Sequence, residues 1–521
     1  MGTFVITTLG CKVNQYDGAA VVQLLRDAGL AAAGKGKPCD LAVVNTCCVT
    51  AAAMVKSRQA VRRALRRARR AVLVCGCYGD FDAPAVRALA AELAPPGCHV
   101  AVAGHGDDLP RTVAEIVALL RGEGVSPSCL AGILPARDAG VSPACVAGIL
   151  PASGEDDWTS SSAQANGTHN AGKMPATRAG KMPASRAGET PASRRLAVVA
   201  RNDPADAHLP PIEHFDDHQR AFVKIQDGCD AFCSYCVVPF TRSVVWSRPP
   251  EAVLDECRRL VAGGHREIVL AGVFLGAYGR STCRRNRWDH SPSPLPPLLE
   301  AVAAIPGLWR VRLSSIEPGD LGDDLLAAAR QCPNFAPHLH LPLQSGADTV
   351  LKRMNRQYDV ATFLRACERL RQSLDRPALT ADVIVGFPGE TDAEFEQTLR
   401  VARAAAFAAL HVFPFSPIPG TAAWSMRNQG PSPAVVRDRV KELAGLADEL
   451  SRDYRRQFLN QTLEAVIEKP SRSRPRRQAM TDRHVTIFFD PPAGDPAEWT
   501  GLVRQFHVIA DADGGLAGAM R

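Results

Sequence analysis

At 521 residues, with 46% hydrophobic residues and a formal net charge of +7, the chain has the make-up of a multidomain globular protein and not of a disordered or fibrous one. No apolar run reaches membrane-spanning length, and the N-terminus lacks a basic stretch followed by an apolar one, so the expectation is a cytoplasmic protein with no membrane partner. In that reducing compartment the 16 cysteines point to metal or redox chemistry before disulfides. The charge is a weak pointer to a polyanionic partner.

From the start, strands and helices alternate. Strands are expected at Phe4 to Gly10, Leu41 to Cys47, Ala71 to Cys77 and His99 to Gly104, with helices at Asn14 to Ala28, Ala51 to Arg70, Pro84 to Leu93 and Leu109 to Arg121. Short apolar strands between helices imply a parallel, doubly wound, Rossmann-like α/β sheet over residues 1–124. Cys11 follows the first strand, Cys47 ends the second and Cys77 ends the third. The carboxyl ends of such strands form the binding crevice, so these thiols converge at one edge. They read either as a three-thiolate site or as three small buried hydrophobes. The neighbours Cys48 and Cys75 should point to the opposite face. The helix from Met54 to Arg70 carries Lys56 and seven arginines outside an inner face of Val61, Leu65 and Ala68. Its outer face is a solvated surface or a phosphate-contacting patch.

Between about Val125 and Arg194 an octapeptide recurs, with prolines 127, 135, 143, 151, 175, 183 and 191 in one phase. So short a unit, rich in proline and poor in large apolar groups, cannot bury a core. Residues 125–211 therefore read as a disordered insert and linker. Cys129 and Cys145 recur with the repeat and are excluded as ligands.

Residues 212–452 form the central domain. A strand-like run, Ala221 to Gln226, leads into Cys229, Cys233 and Cys236 at the spacing C-x3-C-x2-C. Three thiolates on one tight loop can hold three corners of an iron–sulfur cube, leaving one iron open to a small molecule. A zinc site lacking its fourth ligand and plain structural cysteines are the competing readings. Six strand–helix pairs follow one another, too few for a closed eight-stranded barrel, so a partial six-stranded barrel is expected. The site should lie on the loops after the strands, which include Glu317, Gln344 and Gly386. From about Phe458 short strands predict a small β-barrel over 456–521, of the kind that binds oligonucleotides. The run Lys469 to Arg477 beside it is strongly basic and suits phosphate contact, with a solvated charge run as the alternative.

The cysteine loop resembles the signature of radical S-adenosylmethionine (SAM) enzymes, with Tyr235 where that superfamily has an aromatic residue. Thr8 to Asp17, Asn45 to Thr50 and Gly76 to Tyr78 resemble the three cysteine motifs of the methylthiotransferase N-terminal domain, and the C-terminal position matches that family's RNA-binding TRAM domain. The resemblance implies two [4Fe–4S] clusters, one on Cys11, Cys47 and Cys77 and one on Cys229, Cys233 and Cys236, the latter set catalytic. It implies SAM held near Tyr235, Glu317, Gln344 and Gly386. It implies a tRNA substrate, an electron donor such as flavodoxin or ferredoxin, and a monomer. Leu9 to Tyr16 is most similar to the branch that adds a methylthio group to C2 of N6-threonylcarbamoyladenosine next to the anticodon. Activity on isopentenyladenosine or on a ribosomal protein, and a non-catalytic RNA-binding metalloprotein, stand as alternatives. The chain departs from the family at Ser243, Val244, Val245 and Trp246, at Phe274 and at Phe415.

Overall fold

The computed structural model describes residues 2–34, 37–105, 107–123, 133–135, 209–215, 220–288, 290–469, 477–490 and 499–521. Most of the octapeptide segment, with Cys129 and Cys145, lies outside the described residues, as do Arg474 and Arg476 of the basic run. Met1–Ala136 and Ala200–Arg521 form one compact unit and Arg137–Val199 another. All the elements below belong to the first.

Its N-terminal elements are β1 (Thr3–Thr8), α1 (Lys12–Asp27), β2 (Ala31–Ala32), β3 (Cys39–Thr46), α2 (Ala51–Arg67), β4 (Ala68–Gly76), α3 (Cys77–Phe81), α4 (Ala83–Leu93), β5 (His99–Ala103), α5 (Leu109–Arg121) and β6 (Ile133–Pro135). They build one sheet in the order β2-β1-β3-β4-β5-β6, parallel except for β6. Alternate strand residues serve opposite faces. Ala42, Val44, Val72, Val74 and Val100 pack with residues of α2 and α4, while Phe4, Leu41, Val43, Leu73 and Ala101 pack with α1 and α5. The expected doubly wound layer is thus present. The unexpected two-residue β2 matters to it, because the strand order reverses at β1, with β2 on one side and β3 on the other. The ends of β1 and β3, where Cys11 and Cys47 lie, form the switch point at which such sheets bind ligands.

Two expectations change here. Helix α2 stops at Arg67, and Arg69 and Arg70 lie on β4, because pairing with β3 begins at Ala68. Strand pairing overrides the helical propensity of the arginine run. Within the span expected to lack structure, Ile133–Pro135 adds an antiparallel edge strand to β5. A proline is tolerated there because an edge strand has N–H positions that need no partner.

The central domain comprises β7 (Arg220–Asp227), α6 (Val238–Thr241), β8 (Trp246–Ser247), α7 (Pro250–Ala262), β9 (Glu267–Gly272), α8 (Leu295–Ala303), β10 (Arg310–Leu313), α9 (Asp323–Gln331), β11 (His338–His340), α10 (Asp348–Arg353), α11 (Val360–Ser373), β12 (Ala378–Val385), α12 (Asp392–Ala405), β13 (Ala409–Pro414), α13 (Ala422–Ser425) and α14 (Pro433–Arg456). Strands β8-β7-β9-β10 and β11-β12-β13 form two sheets, joined through isolated bridges such as Val311↔Phe335 and Ser315↔His340. Together they make the open arc of a partial barrel. Val311, Leu313, Leu339, Ala381, Val383 and Val385 pack into the large core with the helices. Period-two alternation then turns Arg310, Arg312, His338, His340, Thr380 and Asp382 to the inside of the arc.

The C-terminal strands β14 (Thr462–Ile467), β15 (Arg477–Thr481), β16 (Thr486–Phe489), β17 (Val503–Ala512) and β18 (Gly515–Met520) close into a barrel in the order β14-β15-β16-β18-β17. The N-terminal sheet is fastened to the central arc. Tyr16 and Ala20 of α1 sit in the arc's core, and Val237 and Ile418 of the central domain sit in the core under α2 and α4. Among the described residues no helix is long and apolar enough to cross a membrane.

Candidate active site between two cysteine sets

The N-terminal thiols meet because the ends of β1, β3 and β4 are stitched together. Asn14, fully buried, donates through Nδ2 to the carbonyls of Leu9 (2.9 Å) and Thr46 (2.7 Å). Ser57 of α2 clasps Cys47, accepting from its N–H at 3.0 Å and donating to its carbonyl at 2.8 Å. Gly10 has φ +101°, and a Cβ there would stand 3.0 Å from Cys47 Sγ, so the chain can pass only as glycine. Cys77 Sγ lies 3.7 Å from Asn14 Oδ1. Cys47 and Cys77 are 3% and 4% exposed, whereas Cys11 stays open. Burial pushes the Cys47 thiol up to about 11.

Cys75 packs in the core on the α1 and α5 face, as strand alternation requires. Cys48 does not turn away. Strand β3 has already ended at Thr46, so the pleat no longer governs it, and its thiol hydrogen-bonds Cys77. That bond lowers the Cys77 pKa and raises that of Cys48.

The central thiols sit on the loop between β7 and α6. Gly228 has φ +77°, and a Cβ there would stand 1.7 Å from the carbonyl oxygen of Val244. The loop is gripped from behind by the segment after α10. Ser234 N–H donates to Met354 O at 3.0 Å, and Asn355 Nδ2 donates to Phe232 O at 2.9 Å. Arg356 donates to Cys233 Sγ at 3.0 Å and to Tyr235 Oη at 3.4 Å, and pairs with Glu317. Glu317, Tyr235 and Cys233 therefore share one guanidinium, on a residue to which sequence reading gives no role.

Gln344 is the left-handed residue (φ +61°) after β11, its N–H bonded to Asp382 O at 2.8 Å. Gly386 donates its N–H to Glu390 at 2.8 Å, and at φ +78° its missing side chain makes room for Val436, since a Cβ there would stand 2.6 Å from that residue. Phe274 packs directly with Cys229 and Cys283, and Phe415 with Tyr235 and Phe387. The Cys283 thiol hydrogen-bonds Cys229 and draws its pKa down.

The two sets are joined. Arg242, 5% exposed, accepts the Cys229 N–H through its carbonyl at 2.9 Å. Its guanidinium reaches Asp227 (2.7 and 2.8 Å), Asp17 (2.6 Å) and Asn14 Oδ1 (2.8 Å), so one residue touches the supports of both thiol sets. Lys224 completes the network, with Nζ 2.6 Å from Asp17 and 2.8 Å from Asp227. Burial works against ionising Asp17 and Asp227, but Lys224 and Arg242 overcome it and hold both carboxyls low. His105 pairs with Asp80 and stands 3.8 Å from Asp17. Burial and Arg242 depress His105, yet Asp80 and the Cys77 thiol outweigh them and raise its pKa. Next to Cys11, Lys12 is pushed down to about 8 by burial and by Arg220 and Arg312.

Among the described residues no three His, Cys, Asp or Glu side chains gather tightly enough to ligate a single ion. A cubic cluster spreads its protein ligands over three irons, a donor set that each group of three thiols suits, while Cys48 and Cys283 stay protonated as hydrogen-bond donors to Cys77 and Cys229. Cys11 is the exposed member of its set, and the Arg356–Glu317 pair puts charge beside Cys233.

Residues 223–402 match the radical SAM superfamily, and residues 3–94 match the model described as uncharacterized protein family UPF0004. A relative named threonylcarbamoyladenosine tRNA methylthiotransferase MtaB, from Bacillus subtilis (strain 168), is 31% identical over 94% of this chain and 90% of its own length. One of the same name from Chlamydia pneumoniae is 32% identical over 90% and 87%. A tRNA-2-methylthio-N(6)-dimethylallyladenosine synthase from Novosphingobium aromaticivorans is also 32% identical over 90% and 87%. With two domain matches in the expected order and relatives matched over almost their whole length, the chain belongs to the radical-SAM tRNA methylthiotransferase family, enzymes that use SAM and [4Fe–4S] clusters.

Proposed function

We propose that this chain adds a methylthio group to C2 of N6-threonylcarbamoyladenosine next to the anticodon of tRNA. The observation that carries the two-site part of this reading is the continuous hydrogen-bonded path Cys229–Arg242–Asn14–Cys77 between the thiol sets. Cys229, Cys233 and Cys236 would hold one cluster, and Cys11, Cys47 and Cys77 the other. When bound, SAM and the clusters supply the hydrogen-abstracting radical and the transferred sulfur, chemistry that side chains cannot perform.

The chain's own residues position and tune. Arg356 sets the charge beside Cys233 and orients Glu317 and Tyr235 toward the same edge. Gln344 and Gly386 line the adjoining strand ends. Arg242 and Lys224 keep Asp17 and Asp227 ionised and so hold the N-terminal sheet in register over the arc. Tyr16 adds a second clamp, donating to Glu256 at 3.1 Å and accepting from Arg248 at 2.9 Å. A one-electron donor such as flavodoxin or ferredoxin would serve the central set. The working boundaries are 1–124, 212–452 and 456–521, with 125–211 as insert and linker, of which Ile133–Pro135 pairs with the N-terminal sheet.

The substrate assignment draws on the names of the relatives, which also include dimethylallyladenosine synthases of similar identity. Mass spectrometry of nucleosides from tRNA of a strain lacking the protein separates them. The expected result is loss of methylthio-threonylcarbamoyladenosine with accumulation of its precursor. Loss of the methylthio form of isopentenyladenosine instead would move the chain to the other branch.

A further inference from the structure

The inside of the arc leaves guanidinium nitrogens without an acceptor among the described residues. Glu267 opens β9 and shares its two oxygens between Arg310 Nη1 (3.2 Å) and Arg312 Nε (2.8 Å). Two guanidinium groups thus divide one carboxylate. Arg312 is 1% exposed, and its terminal nitrogens Nη1 and Nη2 are buried without a hydrogen-bond partner among the described residues. Stranding charged donors in this way is costly, and a fold that retains them ordinarily supplies an acceptor.

The surroundings add cations. Lys12, the first residue of α1, lies close enough to Arg312, Arg220 and Asp382 for their charges to act on it. His338, with its Nδ1 also unpartnered among the described residues, and His484 of the C-terminal barrel stack at 5.0 Å between ring centroids. Burial, and then the Arg312 charge for His338 and the Arg220 and Arg312 charges for His484, hold both imidazoles neutral. The nearby carboxylates are engaged: Asp382 lies 3.4 Å from His340, and Glu468 is 3.6 Å from Arg220. An apolar dimethylallyl group would leave this lining unsatisfied. A carboxylate would accept from both free nitrogens of Arg312 in the fork geometry that favours arginine.

We propose that Arg312 and Lys12 form a carboxylate-binding subsite inside the arc that takes the threonyl carboxylate of the substrate nucleoside. This rests on the reading above and names the residues that would enforce it. Lys12 immediately follows Cys11, so the subsite borders the N-terminal thiol set. Substrate choice would then be made where α1 meets the inside of the arc, by charge, before any bond is broken.

The test is binding of anticodon stem-loop RNAs to the cluster-loaded full-length protein by fluorescence anisotropy. Three RNAs are compared, carrying threonylcarbamoyladenosine, its neutral methyl ester, or plain adenosine. The acid should bind about tenfold or more tighter than the ester, as charge-assisted hydrogen bonds imply. Lys12→Gln, at a half-buried position, should shrink that preference several-fold by weakening acid binding more than ester binding. Arg312→Met should abolish it, and the ester comparison in the unaltered protein stands even if that variant does not fold. Equal binding of acid and ester, both above adenosine, would overturn the subsite and leave the substrate reading intact. Acid binding no tighter than adenosine would overturn both.

Discussion

Arg242 is the residue on which the two halves of the site depend. Two carboxylates, Asp17 and Asp227, are buried against it and Lys224, and removing one partner of such a group strands the others. Arg242→Met should lower stability by about 3–5 kcal/mol in urea titrations. Arg242→Lys, which keeps the charge but not the fork, should recover part of that. The pH response has a fixed sign. Both carboxyls are held below the usual value of 3.8, so their contribution is full above that value and is lost as the pH falls through their folded-state range. Unfolding midpoints should therefore drop below about pH 4 in the parent, and drop less in the variant.

Ligand chemistry is what the sequence makes legible residue by residue. Cys229, Cys233 and Cys236 announce themselves by spacing, and Cys11, Cys47 and Cys77 by their common place after strands. Asn14 and Asp17 lie within the motif Thr8 to Asp17 without showing what they bind, and His105 and Arg242 give no such signal. Arg242 reaches Asn14 across 228 positions and Asp17 across 225, a pairing that no local pattern encodes. Cys48 escapes the period-two rule because its strand has already ended at Thr46.

At the level of elements, most strands and helices follow from apolar periodicity, and α5 runs over the residues expected. The omissions have physical causes. Strand β2 is two residues long, too short to show alternation, and β18 is Gly- and Ala-rich. Each is defined by its neighbours' open edges and not by its own propensity. Turns that must pass close to other backbone are the most demanding local feature. Gly228→Ala places a Cβ against the Val244 carbonyl at a φ that L-residues resist, so purified protein should carry about half the parental iron, by chemical analysis, with the N-terminal set still loaded. Full iron content in that variant would contradict the assignment of the loop.

Helix α2 presents Lys56, Arg62, Arg63 and Arg66 to solvent, in keeping with its basic pattern. Exchanging the three arginines for glutamine should weaken tRNA binding and flatten its logarithmic salt dependence by up to about 0.9 for each phosphate no longer neutralised. An unchanged slope would place RNA binding elsewhere, with Arg477 at the start of β15 the next position to test.

Across the whole molecule, the order of domains is readable from composition, but their mutual fastening is not. Tyr16 of the N-terminal sheet lies in the core of the central arc, and Ile418 of the central domain lies in the core of the sheet. This mutual insertion puts two cysteine sets far apart in sequence into one compact unit. In the proposed reaction the two sets have different duties. Measuring deoxyadenosine and methylthiolated tRNA in parallel for Cys233→Ala and Cys77→Ala separates them, each variant being reconstituted with iron and sulfide and given SAM, reductant and tRNA. Cys233→Ala should form neither product, and Cys77→Ala should form deoxyadenosine without methylthio transfer. Deoxyadenosine from Cys233→Ala, or methylthiolated tRNA from Cys77→Ala, would refute this division of labour.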